Sequence, residues 1–256
     1  MVPSAAIRVW YLKRMRGVVN AMLEDYNARI RETLKDEDVR RFFARDASAS
    51  SLLRALMSRL QFYWERIFNR FAEETADEFI RRSNEYANAS TWHSLSIAGI
   101  KAPILAYNMN ILNTLGAARN FNHTLITGIQ ADVHEKIYTA VMLSLTSPNP
   151  EEQGESGIFA ALRDVGGFAE NRMKLIARDQ TSKLYTSLSE ERMEQNGVEE
   201  FEWMHSAAGK VPRPTHVEKD GKIFKLNDPR LWTGPKADQG PPGWAINCRC
   251  GKRPII

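Results

Sequence analysis

From Leu52 to about Tyr86 the chain runs for some 35 residues without a proline or a glycine. Leu53, Leu56, Met57, Leu60, Trp64, Ile67, Phe68, Phe71, Ala76, Phe79 and Ile80 recur through it at steps of three and four, the period of one helix face. At about 1.5 Å per residue such a helix would be roughly 50 Å long. A helix of that length spans a bundle or projects as an interaction arm, so the rest of the fold must be arranged along it. Phe62, Tyr63, Trp64, Phe68 and Phe71 form an aromatic stripe on it, read as core or partner packing in preference to a base-stacking surface.

Two further stretches share this character. Residues 5–34 place Ile7, Trp10, Tyr11, Met15, Val18, Val19, Met22 and Tyr26 at helical spacing. A charged break at Lys35 to Arg41 and a serine-rich N-cap at Ser48 to Ser51 separate this helix from the long one. Leu125, Ile129, Val133, Ile137, Val141 and Leu145 lie four apart, which predicts a helix over 121–145. Between them, residues 90–116 carry Gly99, Pro103 and Gly116 and read as a short helix and turn. Ser147 to Gly157 reads as a surface loop, Ile158 to Val165 as a short helix stopped by Gly166-Gly167, and Phe168 to Gln195 as a long helix ended by Asn196-Gly197.

Composition changes after Gly197. Val198, Phe201, Trp203 and His205 alternate as a first strand, and Asp220-Gly221 between 217–219 and 222–224 is a two-residue hairpin signal. Pro229 to Gly243 is rich in proline and glycine, too irregular to hold its shape on apolar burial alone. The sequence therefore predicts a mainly α protein, with long helices forming an N-terminal arm and bundle, followed by a small irregular α+β C-terminal domain. The divisions are 1–120, 121–197 and 198–256.

Chemistry-bearing residues collect in the last part. His205, His216, Cys248 and Cys250 are of zinc-ligand type, and a structural zinc would pin the loop. The alternative has both cysteines as small buried residues at a strand end and His216 hydrogen-bonded to backbone. Arg213, His216, Lys222 and Arg249 are candidates for acid–base and phosphate-clamping work in RNA cleavage or nucleotide transfer. No carboxylate pair, phosphate loop or nucleophile-plus-base signature accompanies them, so the chain is read as no enzyme. Ten Lys and Arg stand against five Asp and Glu in residues 201–256. Lys210, Arg213, Lys219, Lys222, Lys225 and Arg249 are the candidate DNA contacts, with Arg230, Lys236, Lys252 and Arg253 in the same basic segment; they would bind phosphate without reading sequence. Two cysteines separated by one residue and no apolar run of about 18 residues suggest a reducing compartment and no membrane segment.

The order Trp203, Arg213 with His216, Asp220-Gly221, Pro241 to Gly243 and Asn247-Cys248-Arg249-Cys250 resembles the C-terminal domain of phage head morphogenesis proteins, the Mu F-like minor head proteins. Arg172 and the Ile176-Ala177-Arg178-Asp179-Gln180 stretch resemble the helix that precedes that domain, with Asp-Gln where the family usually has an acidic or Thr-Glu continuation. The acid that many members carry between Trp and Arg is replaced here by Ala207 to Lys210. The resemblance covers roughly Phe121 to Cys250. It implies a low-copy minor capsid protein of a tailed bacteriophage, assembled into the procapsid near the portal. Portal, scaffold or major capsid protein would be its partners and packaged double-stranded DNA its neighbour, in the host cytoplasm during assembly and then in the virion. The alternative is a zinc-stabilised module that binds or processes nucleic acid.

Overall fold

A computed structural model describes residues 1–35, 48–145, 147, 149, 154–207 and 211–256. The charged break after Lys35 lies outside the described residues, as does most of the loop before Gly154. Among the described residues four long helices come first: α1 (Ala5–Lys35), α2 (Ser48–Ala98), α3 (Met109–Ser144) and α4 (Gly154–Gln195). A small C-terminal part follows, with β1 (Glu200–Met204), a short helix α5 (Pro214–Val217), β2 (Ile223–Lys225), two 3-10 turns (Pro229–Trp232 and Lys236–Asp238) and β3 (Gly251–Ile255). The three strands form an antiparallel sheet in the order β2-β1-β3, with Phe201 opposite Phe224 on one side and Pro254 on the other. The protein is thus mainly α with a small α+β C-terminal part, as the periodicities require.

Several boundaries differ from the sequence reading. The long helix does not stop near Tyr86; it continues to Ala98, where Gly99 takes a φ of +118°. Gly116 lies inside α3 and does not punctuate it. Gly166-Gly167 likewise fails to break α4. Each glycine costs about 1 kcal/mol relative to alanine in a helix, and the burial of Val165, Ala169 and Met173 around the pair offsets that. Gly197, at φ +70°, does end α4. The Asp220-Gly221 turn forms, with Gly221 at φ +72°, yet residues 217–219 are not its second strand. Pro214, fixed at a helical φ, starts α5 there instead, and β2 pairs with β1: Gly221 N–H donates to the Trp203 carbonyl and Trp203 N–H to the Lys222 carbonyl, both at 2.9 Å.

The contacts divide the chain into two compact units, each drawn from separate segments. One comprises residues 12–75 and 123–174, a four-helix core. Met15, Val19, Met22, Tyr26 and Ile30 of α1 are buried, as are Met57, Leu60, Trp64 and Phe68 of α2, Ile129, Val133 and Ile137 of α3, and Ala169 and Met173 of α4. The aromatic stripe splits here: Trp64 and Phe68 enter the core while Phe62 and Tyr63 remain exposed. In this core Trp64 Nε1 donates to Asp25 (2.9 Å) and Tyr26 Oη meets His134 Nδ1 (2.8 Å), whereas Thr75 Oγ1 and Gln130 Nε2 are buried with no partner among the described residues.

The other unit comprises residues 1–11, 76–122 and 175–256. An apolar cluster in it joins Leu95 and Met193 of the helices to Val198, Phe201, Trp203, Phe224, Leu231, Ala245, Cys248 and Cys250. Asn196 at the end of α4 fixes the neighbouring chain, accepting from Ile104 N (2.6 Å) and donating to Ile104 O (2.7 Å). Gly243 approaches α4 so closely that a Cβ there would lie 2.6 Å from Thr186 Oγ1, and its φ of +90° is a glycine conformation. Thr186 Oγ1 donates to the Pro242 carbonyl at 2.7 Å. The proline-glycine loop is therefore held against α4 by backbone contact, and the Pro241 to Gly243 stretch is buried.

Candidate functional site

Asp238, in the second 3-10 turn, organises the C-terminal site. Arg213 precedes α5 in extended conformation, and its Nε pairs with Asp238 Oδ1 at 2.8 Å while a terminal nitrogen donates to the Ile246 carbonyl at 2.7 Å. Thr215 Oγ1 donates to the other carboxylate oxygen, Oδ2, at 2.8 Å. With both oxygens engaged, Asp238 presents its backbone carbonyl to His216 Nε2 at 3.2 Å. A carbonyl accepts only, so Nε2 carries a proton and Nδ1 is the ring atom left facing the sulfurs. The Arg213-x-x-His216 spacing thus has a physical meaning. One turn of helix lets the arginine fix the group that fixes the histidine.

Nδ1 meets two sulfurs, Cys248 Sγ at 3.6 Å and Cys250 Sγ at 3.7 Å. The three ligand-type atoms all lie within 4.8 Å of one another, and all three residues are buried. Asn247, at φ +61°, turns the chain between them; asparagine tolerates that left-handed conformation better than most residues. Gly243 N–H points at Cys248 Sγ (3.4 Å), and the edge of the Trp203 ring lies against His216 at a centroid distance of 5.1 Å. Trp203 Nε1 is buried with no hydrogen-bond partner among the described residues and acts on Cys250 in the sense that favours a thiolate.

These neighbours separate the two thiols. The Cys250 side chain holds Cys248 well below the usual thiol range, to about 4, with His216 and the Gly243 N–H adding to the effect against burial. Cys250 is pushed up by its hydrogen bond to Cys248, by burial and by the adjacent negative charge. The pair therefore loses its first proton readily and resists losing the second unless a cation arrives.

A cavity of about 290 Å³ opens beside the cluster, lined by Arg178, Arg213 and Arg249 as well as His216, Cys248 and Cys250. Arg178 reaches from α4 to donate to Asn247 Oδ1 at 2.7 Å. Burial lowers its pKa, and Arg249 and Arg8 act in the same direction. Of the residues singled out in the sequence, Arg178, Trp203, Arg213, His216, Asn247, Cys248, Arg249 and Cys250 converge here. His205 lines the cavity but stands outside the three-residue cluster. Its backbone N–H donates to Asp220 Oδ1 (2.7 Å) and its Nδ1 accepts from Ala207 N (3.3 Å). Asp220 and Gly221 shape the turn behind it. Arg172 pairs instead with Asp132 of α3 at 2.9 Å.

The basic residues separate by role. Lys252 is 1% exposed and donates to Glu190 Oε1 at 2.8 Å and to the Thr186 carbonyl at 3.2 Å, so it does not face a phosphate. Arg230 is paired with Asp228 and Arg253 with Glu202, and Lys219 lies over the Trp203 ring at 5.0 Å. Lys222, Lys225, Lys236 and Arg249 remain exposed, and Lys210 lies outside the described residues. Asp238, Glu190 and Thr186 escaped the sequence reading, because each acts on a residue far away in the chain and no local spacing marks it.

Residues 135–252 match the family described as Phage Mu protein F like protein. This stretch is similar to Mu F-like proteins. It takes in the end of α3, all of α4, and every residue of the Arg213–Asp238–His216 and Arg178–Asn247 connections. The full chain is also similar to an uncharacterized protein of Haemophilus influenzae Rd, 29% identical over 257 residues. That alignment covers 99% of this chain and 54% of the relative, so the chain spans about half the relative's length. No solved structure matches. Among the described residues, no helix is long and apolar enough to cross a membrane.

Proposed function

We propose that this chain is a structural minor head protein of a tailed bacteriophage, present in few copies and built into the procapsid near the portal. The observation that carries the reading is the match of residues 135–252 to Phage Mu protein F like proteins, which supports a place among phage head proteins. Long helices with exposed aromatic residues such as Phe62 and Tyr63 suit docking on portal, scaffold or capsid protein. The role is one of assembly and not of catalysis. Exposed Lys222, Lys225, Lys236 and Arg249 would touch packaged DNA through phosphates alone, in its retention or ejection, and such contacts weaken steeply with salt.

Quantitative mass spectrometry of purified procapsids and mature heads tests this. A few copies per particle in both is the expected result. Absence from both kinds of particle, from cells that make the chain, would refute the assembly role.

A further inference from the structure

We propose that His216 Nδ1, Cys248 Sγ and Cys250 Sγ hold one zinc ion whose fourth coordination position opens onto the arginine-lined cavity. The site stands independently of the phage-head reading. Tetrahedral zinc with Zn–S of about 2.3 Å and Zn–N of about 2.0–2.1 Å separates sulfur from nitrogen by about 3.6 Å. The two separations here are 3.6 and 3.7 Å. The two approaches are nearly equal, as expected of two sulfurs sharing one ion with Nδ1. A cation between the three atoms accounts for both.

The surroundings are those of a metal ligand set. A ligating histidine usually donates its other ring N–H to a carboxylate or carbonyl, and Nε2 does so to the Asp238 carbonyl, itself fixed through Arg213 and Thr215. The Gly243 N–H faces Cys248 Sγ, and the N–H of Trp203, with no partner among the described residues, gains an acceptor in a Cys250 thiolate. With both sulfurs bound as thiolates, whatever thiol proton remains passes to solvent, and two thiolates with a neutral imidazole balance the charge of Zn²⁺. The assembled site is therefore neutral, which suits ligands that are each 3% exposed. His205 is left out: its Nδ1 already accepts from Ala207 N. The ligands line the cavity shared with Arg178, Arg213 and Arg249, so solvent or a small anion completes the coordination. The ion ties α5 to the segment before β3 across the proline-glycine loop.

The test uses the full-length chain, purified reduced and reconstituted with zinc alone. Elemental analysis should give one zinc per chain, falling below about a tenth in Cys248→Ser and Cys250→Ser, because loss of a thiolate ligand removes most of the affinity. His205→Ala should keep full stoichiometry, and its loss of zinc would overturn the three-ligand assignment. Since a cysteine variant can simply misfold, cobalt(II) is also added to the unaltered chain. Thiolate-to-cobalt charge-transfer absorption and the d–d bands of four-coordinate geometry are expected, the latter shifting on addition of azide. Bands indifferent to azide would overturn the open fourth position. A chain that takes up neither metal, or that holds Cys248 and Cys250 as a disulfide when handled without oxidant, would overturn the site.

Discussion

Lys252 and Glu190 offer a quantitative test of how the C-terminal part is fastened to α4. The Lys252 ammonium is buried and has two acceptors, the Glu190 carboxylate at 2.8 Å and the Thr186 carbonyl at 3.2 Å. Replacing Glu190 by Gln keeps shape and a hydrogen-bond acceptor but removes the counter-charge. Breaking a buried ion pair by removing one partner costs about 3–5 kcal/mol. The Glu190 side chain is 24% exposed, so solvent already screens part of the attraction, and the Thr186 carbonyl stays in place. We therefore expect Glu190→Gln to destabilise by about 2–3 kcal/mol, read as a lower urea midpoint at unchanged slope. Lys252→Met, which keeps the packed stem and removes the charge, should recover most of that loss when combined with Glu190→Gln, because no charge is then left unpaired. A Glu190→Gln midpoint within about 0.5 kcal/mol of the parent, or a double variant no better than Glu190→Gln alone, would refute the reasoning.

Two other expectations use the same assay. Gly167 sits inside α4 with open space where a Cβ would go, so Gly167→Ala should stabilise by about 0.5–1 kcal/mol, whereas Gly243→Ala meets both a positive φ and Thr186 Oγ1 and should destabilise by about 2–4 kcal/mol; the same sign for both would be a failure. Burial lowers the pKa of His134, whose Nδ1 meets Tyr26 Oη. The unfolded chain then binds the proton more readily than the folded one. Its contribution is complete above about pH 6.5, the ordinary histidine value, and is lost as pH falls toward the lowered folded value. Urea midpoints measured from pH 7.5 downward should show this fall, and His134→Asn should flatten it.

The three- and four-residue spacing of Met15, Val19, Met22 and Tyr26, and of Leu60, Trp64 and Phe68, was enough to place the helices and their buried faces, since a helix face is a local property. The stop at Asn196-Gly197 was equally legible. Gly116 and the Gly166-Gly167 pair misled for the complementary reason: a glycine weakens a helix by an amount that tertiary burial readily exceeds. Asp220-Gly221 announced a turn, and only the neighbouring strand showed that its partner is β1. At the site, the sequence alone determined the residue types, Arg213 with His216 and Cys248 with Cys250, because these lie close along the chain. What only the tertiary structure decided is their convergence. The Asp238 carbonyl turns Nδ1 of His216 toward both sulfurs, Arg178 of α4 grips Asn247, Lys252 is drawn inward to Glu190, and His205 is left at the rim. Each of these rests on a hydrogen bond or ion pair between groups 15 to 69 residues apart, and no periodicity or spacing records a contact that the folding of the intervening chain creates.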